Sequence, residues 1–409
     1  MIAYTDYGSD ARVIRAAQAA TKAGFKVDVL ALRRAADPPI ECLRGVRVFH
    51  LAQSRYRGGG HFRYMLAYLL FFWRCFLKTS FLFLKQRYGI IHVHNMPDLL
   101  VFCTVIPKIF GAKVILDIHD PMPNTFASKF RSGERGFFYR ILLWQELLSA
   151  RYSDRVVTVH DPVRDGILVK HGLTAESIQV IANFPDNDVF TCRPTYRVDG
   201  QVRLVFHGTI LERSGLRNLI IALSRVQHRD TIRATIIGEG DFSSGVRELI
   251  HDHALEDVVQ FDNRVYPHYE IPNRIADCNV GIIPLEISSV TNYALPLKLL
   301  EYISMGLPVI TVRSAAICYY FREGDCLFYE WNDVESLRRL LDTVAEKPEL
   351  LQHYRQRAVD LRDQYSWSTE SKKYISLLQD LVALSRPLRQ KGGRSQAAAG
   401  PQPLEPNCR

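Results

Sequence analysis

Several signatures are missing from this 409-residue sequence. Its eight cysteines lie scattered at 42, 75, 103, 192, 278, 318, 326 and 408, with no CxxC pair and no zinc-ligand spacing. That excludes a disulfide-stapled or structural-zinc scaffold and fits a reducing compartment. No signal peptide opens the chain. Met1 leads directly into "IAYT", a strand that reads as clipped or short, with Asp6, Asp10 and Arg12 close behind. A simple bilayer span needs about 20 apolar residues, and within the most hydrophobic stretch, Arg63 to Lys85, the longest uncharged run, Tyr64–Trp73, stops well short of that. The dinucleotide fingerprint GxGxxG is incomplete. "TIIGEGDFSSG" supplies Gly238 and Gly240, but Ser243 stands at the third position and the segment lies mid-chain.

What is present points to a globular α/β protein. Apolar residues make up 47% of the chain, enough for buried cores, and the net charge of +9 favours an anionic partner. The length suggests two domains. In the first half, strands are expected at Ile2–Thr5, Val27–Leu32, Ile90–His94, Val114–Ile118 and Arg155–Val159. Helices are expected at Asp10–Ala23, Arg63–Arg87, Asp98–Ile109, Gly136–Ala150 and Pro162–His171. This alternation is the pattern of a doubly wound parallel sheet. The second half repeats it, with strands near Arg203–Phe206, Arg233–Ile237, Val258–Phe261, Val280–Ile283 and Val309–Val312, then helices near Val334–Val359 and Thr369–Ser385. The turn-rich "NFPDNDVFTCRPTYRVDGQ" reads as an interdomain linker. We therefore expect domains at 1–190 and 191–385 and a disordered tail at 386–409, with the last helix able to pack back on the first domain. In open α/β sheets, ligands bind beyond the C-terminal strand ends.

The segment "RYMLAYLLFFWRCFLKTSFLFLK" is the most hydrophobic. Placed on a helix, Arg63, Arg74, Lys78 and Lys85 fall in one stripe and nearly everything else is apolar. Helix 63–87 is therefore expected to lie on an anionic membrane surface. The plain alternative is a core helix with a basic edge.

In "NYALPLKLLEYISMGLPVI", Lys298 falls in the first turn of an expected helix behind Pro296. A cation is unfavourable at that positive helix end unless an anion sits there. Glu301, three residues on, shares the helix face and suits a ribose hydroxyl. The plain alternative is a surface Lys–Glu pair. In "LVFHGTILERSGLRNLIIAL", Gly208 lets a ligand approach the backbone, and Arg213 precedes the next helix. Two cations at two strand ends would clamp a diphosphate.

The segments "HGTILERSGL", "IIGEGD", "ADCNVGIIPL" and "LPLKLLEYISMGLPVI" resemble, in that order, the family-four retaining glycosyltransferases of GT-B fold (glycosyl transferases group 1). "YTDYGSDARVIRAAQAATKAGFKVDVLAL", "IHVHNMPDLL" and "VILDIHDPMP" look like the N-terminal domain of bacterial exopolysaccharide and lipid-glycan members. The resemblance covers roughly residues 1–385. It implies two Rossmann-like doubly wound domains facing a cleft. It also implies transfer of a sugar from a UDP or GDP sugar to a glycan or lipid-linked acceptor, with no metal and no further cofactor. On this resemblance Arg213 and Lys298 bind the donor diphosphate and Glu301 the ribose. Gly208, Thr209, Gly238 and Leu295 line the donor, and His119 approaches the transfer point. Gly8, Ser9 and Asp10 form the acceptor-side loop. The setting implied is the cytoplasmic face of the cell membrane.

The chain departs from the family pattern at three places. Tyr293 stands where the first Glu of the paired-Glu motif is expected, and Thr209 and Ser214 stand where Arg and Lys are usual. The first loop keeps only Gly8. Three further features are expected to be incidental. "DND" (Asp186–Asp188) imitates a metal-binding DxD, His92 and His94 share a strand face without an evident third ligand, and the dispersed basic residues match no nucleic-acid motif. Two other functions fit the same fold, a GT-B sugar-nucleotide epimerase and a non-catalytic membrane-associated binding protein.

Overall fold

The computed structural model of the chain describes residues 1–54, 56, 61–130, 136–192 and 199–385. The expected tail and part of the linker lie outside these residues. The described chain divides into two units, 1–181 with 371–385, and Ala182–Glu370. The sequence put the boundary at 190/191. Ala182, Phe184 and Phe190 belong to the second unit because they are buried together with Leu299, Tyr302 and Ile303.

The first unit is built on a mixed sheet. Its strands are β1 (Asp28–Leu32), β2 (Ile40–Leu43), β3 (Val46–Leu51), β4 (Ile90–His94), β5 (Lys113–Ile118), β6 (Arg155–Thr158) and β7 (Ile178–Val180). They run in the orders β1-β3-β2 and β4-β5-β6-β7, parallel except for the β2–β3 hairpin. That hairpin was not legible because it turns on Arg44 and Gly45, both at positive φ, without the usual Asn-Gly signal. The expected strand Ile2–Thr5 is reduced to a bridge at Ile2, which pairs with Leu30 and Val93. Ile2 donates to the His92 carbonyl and accepts from His94, both at 2.9 Å, so it joins the two halves of the sheet.

Helices cover this sheet with several departures from expectation. Ala11–Lys22 forms as expected, but Asp98–Ile109 begins as a 3₁₀ stretch, Asp98–Thr104, and becomes α only at Val105–Ile109. Met122–Phe130 is an unforeseen helix. The expected helix Pro162–His171 is a single turn, Asp161–Val163, followed by a π turn, Arg164–Leu168.

Helix His61–Lys85 buries Phe71, Cys75, Leu82 and Phe83 and leaves Leu66, Leu69, Trp73, Leu77, Phe81 and Leu84 exposed. It is long and apolar enough to cross a membrane by length and composition alone. Its buried flank makes it a layer of this unit with an apolar crest left over. Of the four cations in the expected stripe, Arg74 donates to the Ala52 carbonyl and Lys78 stacks over Phe49, so both also bind the protein itself.

The second unit has a six-stranded, all-parallel sheet. Its strands are β8 (Val202–His207), β9 (Ile232–Ile237), β10 (Val259–Asp262), β11 (Val280–Ile283), β12 (Val309–Val312) and β13 (Leu327–Tyr329), in the order β10-β9-β8-β11-β12-β13. Chain order reverses between β8 and β11, and this reversal is the topological switch point at which such sheets bind ligands. Strands buried on both faces explain the near-continuous apolar runs "RLVFH", "VGII" and "VITV". The single helix expected near Val334–Val359 is two, Val334–Glu346 and Glu349–Leu361, because Pro348 interrupts the run.

Candidate functional site

β8 and β11 end side by side at the switch point, and the residues following β8 meet the helix Leu297–Ser304. Pro296 takes the cap position of that helix, with extended backbone. Lys298 reaches back over the end of β8. Its ammonium lies 3.8 Å from the centre of the Phe206 ring. A Cβ added at Gly208 would lie 3.1 Å from the Lys298 Nζ. Gly208 has φ +121, a conformation side chains resist, and it thus keeps a bare backbone beside the cation. Among the described residues the ammonium makes no hydrogen bond and no ion pair. Although the Lys298 residue keeps some surface, its charged end is withdrawn from water. Burial lowers its pKa to about 8, with the Glu301 charge opposing the shift.

Glu301 shares this helix face, as the i,i+3 spacing requires, but it is not the exposed partner of a surface pair. It is buried, and its Oε2 lies 2.7 Å from His207 Nε2. His268 Nδ1 stands 3.7 Å from Oε1. The His207 ring is held on its other side by the Tyr302 hydroxyl, 2.9 Å from Nδ1.

The remaining expected donor residues are distributed unevenly. Thr209 is exposed, and its carbonyl accepts from Ser214 Oγ at 3.2 Å. Ser214 thus closes the loop, while Arg213, in the turn Glu212–Ser214, is exposed and unpaired among the described residues. Gly238 sits opposite Gly208, and a Cβ there would come within 1.9 Å of the Gly208 carbonyl oxygen. Packing of one loop on the other is therefore a sufficient reason for this glycine. Leu295 buries its side chain in the core, so only its backbone is available to a ligand. Tyr293 is half-buried in the turn before the helix.

In the first unit, the expected acceptor loop is a 3₁₀ turn, Tyr7–Ser9. Gly8 and Ser9 are exposed, and Ser9 Oγ donates to the Asp6 carbonyl. Asp10 has a structural task. Its side chain caps the next helix, accepting from the Arg12 and Val13 backbone N–H groups at 3.2 Å each. His119 follows β5 directly, and its backbone N–H donates to Asn95 Oδ1.

Behind His119 lies a buried cluster that sequence reasoning missed. Arg12 grips Asp117 with two hydrogen bonds of 2.7 Å and donates to the Ile181 carbonyl. His94 Nδ1 and His92 Nε2 lie 3.2 and 3.5 Å from the same carboxylate. Burial pushes the Asp117 carboxyl up, but Arg12 and the two imidazoles outweigh it and hold it well below its ordinary range. Burial lowers His92 to about 3 and lowers His94 as well.

Asp117 is the third ligand that the sequence did not reveal for His92 and His94. The set still suits a cation poorly, because Arg12 already neutralises the carboxylate. Local pattern carried no sign of the Arg12–Asp117 pair, which joins residues far apart in sequence. His207 and Tyr302 flank Gly208 and Glu301 and were readable as neighbours, but not as partners.

Comparison with known proteins agrees with this architecture. A family model described as Glycosyltransferase Family 4 matches residues 8–189, and one described as Glycosyl transferases group 1 matches residues 193–360. The chain is 27% identical over 165 residues to WcaL of Escherichia coli (strain K12), a protein whose name proposes it as a colanic acid biosynthesis glycosyltransferase. That match covers 38% of this chain and 39% of the relative. Sucrose-phosphate synthase from Thermosynechococcus elongatus is similar in structure, with a TM-score of 0.73 at 16% identity over 94% of this chain and 99% of that one. Anabaena HepE in complex with UDP-glucose gives 0.69 at 14% identity over 93% and 99%. The chain belongs to the GT-B glycosyltransferases, its first half of the family 4 type and its second half of the group 1 type.

Proposed function

We propose that this protein transfers a sugar from a nucleoside-diphosphate sugar to a glycan or lipid-linked acceptor of a cell-surface polysaccharide, retaining the anomeric configuration. The observation that carries the donor reading is the Lys298 ammonium, set against the bare Gly208 backbone at the switch point without an anionic partner among the described residues. A diphosphate supplies the missing charge. HepE, of the same fold, is known in complex with UDP-glucose, which supports this class of donor.

In the proposed reaction the bond between the sugar anomeric carbon and the phosphate oxygen breaks, and its electron pair leaves with the nucleoside diphosphate. Lys298 and Arg213 stabilise the charge that develops there, with the N-terminus of helix Leu297–Ser304 assisting. The acceptor hydroxyl forms the new bond on the face the phosphate leaves, and the departing phosphate takes its proton. His119 orients or polarises without serving as an obligatory base. Thr209, Gly238 and the Leu295 backbone line the donor, and Gly8 and Ser9 the acceptor side. With these cations in place the reaction as proposed runs without a metal.

The setting proposed is the inner face of the cell membrane. Helix His61–Lys85 contains no acidic residue, and its exposed crest is apolar with Arg63 and Lys85 beside it. This composition suits an anionic lipid surface.

Calorimetric titration with UDP, GDP, ADP and NAD, on wild type and Lys298→Ala, tests the donor reading. Micromolar binding of UDP or GDP that disappears in the variant is the expected result. Binding of none, or binding indifferent to Lys298, overturns it. Turnover of a sugar nucleotide without any acceptor, giving an isomerised sugar, would instead favour the epimerase.

A further inference from the structure

His207 ends β8 with both ring nitrogens engaged. Tyr302 Oη accepts the His207 backbone N–H at 3.1 Å and lies 2.9 Å from Nδ1, while Nε2 lies 2.7 Å from Glu301 Oε2. Donor counting places the protons. The phenol oxygen already accepts the backbone N–H, so its own hydrogen points to Nδ1. Nδ1 then accepts, the neutral ring carries its proton on Nε2, and that proton goes to the Glu301 carboxylate. Burial raises the Tyr302 phenol well above its ordinary pKa, which keeps it a donor.

Tyr302 is itself located by a gap in the sheet. A Cβ added at Gly281 on β11 would come within 2.2 Å of a Tyr302 ring carbon. Gly281, Tyr302, His207 and Glu301 therefore form a chain of contacts inside the second unit. Its last member is the residue assigned to the ribose. The ring cannot turn without losing two hydrogen bonds, so the plane of the Glu301 carboxylate is held.

We propose that His207 is a positioning residue that sets the Glu301 carboxylate to accept the ribose hydroxyls of the donor nucleotide. This rests on the donor reading above. An ordinary buried histidine that only satisfies its neighbours would affect stability and nothing else. A positioning residue must also affect how the site tells ribose from deoxyribose.

The experiment compares the affinities of UDP and GDP with those of their 2′-deoxy counterparts, by calorimetry, in wild type, His207→Phe, His207→Gln and Tyr302→Phe. Phe keeps a ring without hydrogen bonds. Gln keeps an N–H donor for Glu301 and an oxygen acceptor for Tyr302. A hydrogen bond to a charged group is worth about tenfold to a hundredfold, so wild type should prefer ribose by about that factor. His207→Phe should reduce the ratio toward one, His207→Gln should restore most of it, and Tyr302→Phe should fall between. Each variant should still prefer the diphosphate to the monophosphate, since Lys298 is untouched. A full ribose preference in His207→Phe overturns this inference and leaves the donor reading standing. If His207→Phe does not fold, a full preference in Tyr302→Phe overturns it equally. Absence of nucleotide binding in wild type overturns both.

Discussion

The Lys298 ammonium lies 3.8 Å from the centre of the Phe206 ring, with no carboxylate bound to it among the described residues. An aromatic face is a weak substitute for water or an anion. The folded protein thus holds a poorly solvated cation, a cost that an anion bound there would offset.

Lys298→Met should separate stability from function. It keeps the stem and removes the poorly solvated charge, so the ligand-free protein should melt higher. Each kcal/mol corresponds to about 2–4 °C for a unit of this size. Turnover should fall by about 10²-fold or more if the charge meets the leaving diphosphate. Thermal melting and a transfer assay on the same preparation check this. A lower melting temperature with unchanged turnover would refute both parts.

The pH dependence follows from the same residue. Its folded pKa, about 8, lies below the ordinary 10.5. Between these values the unfolded chain binds more protons, so this group makes stability rise with pH across that window. Diphosphate binding needs the protonated form, so affinity should weaken as pH rises through about 8. Titrations of wild type from pH 7 to 9 measure this, and an affinity unchanged across that range would refute it.

Gly208→Ala should be damaging out of proportion to its size. The new methyl would sit 3.1 Å from the Lys298 Nζ on backbone at φ +121. Strain of this kind costs about 1–3 kcal/mol. The flexible lysine end can move aside, so the protein should fold with a lower melting point and with diphosphate affinity reduced at least tenfold. Unchanged affinity in a folded variant would detach Gly208 from the site.

In the first unit, Arg12→Met should leave the Asp117 carboxylate buried without its cation. Loss of one partner of a buried pair costs about 3–5 kcal/mol, readable as a shift in urea midpoint. Acid sensitivity should also change. The depressed Asp117 contributes stability above the ordinary carboxylate range and loses it as pH falls through and below that range. His92, lowered from 6.5 to about 3, likewise removes stability as pH falls between those values. In Arg12→Met the Asp117 part of this acid limb should disappear. An identical limb would show that the pair is not what holds Asp117 ionised.

Membrane docking predicts sedimentation with vesicles containing anionic lipid, weaker binding to neutral vesicles, and partial release by salt. Trp73→Gln with Leu77→Gln should reduce binding while melting stays close to wild type, because both side chains are exposed. Equal binding by wild type and the double variant would exclude the apolar crest as the contact.

Much of this protein was legible from local pattern. Alternating apolar runs and amphipathic stretches determined two α/β halves. The order of "HGTILERSGL", "IIGEGD" and "LPLKLLEYISMGLPVI" pointed to the GT-B family, and i,i+3 spacing put Lys298 and Glu301 on one helix face. These are short-range relations, set by backbone geometry and side-chain periodicity. Only the tertiary structure decided which residues meet across the sheets. It placed Lys298 over Phe206 and Gly208, turned Glu301 inward to His207, and joined Arg12 to Asp117 under two histidines. Such pairings depend on strand order and burial, which link positions about a hundred residues apart, and no local period encodes them.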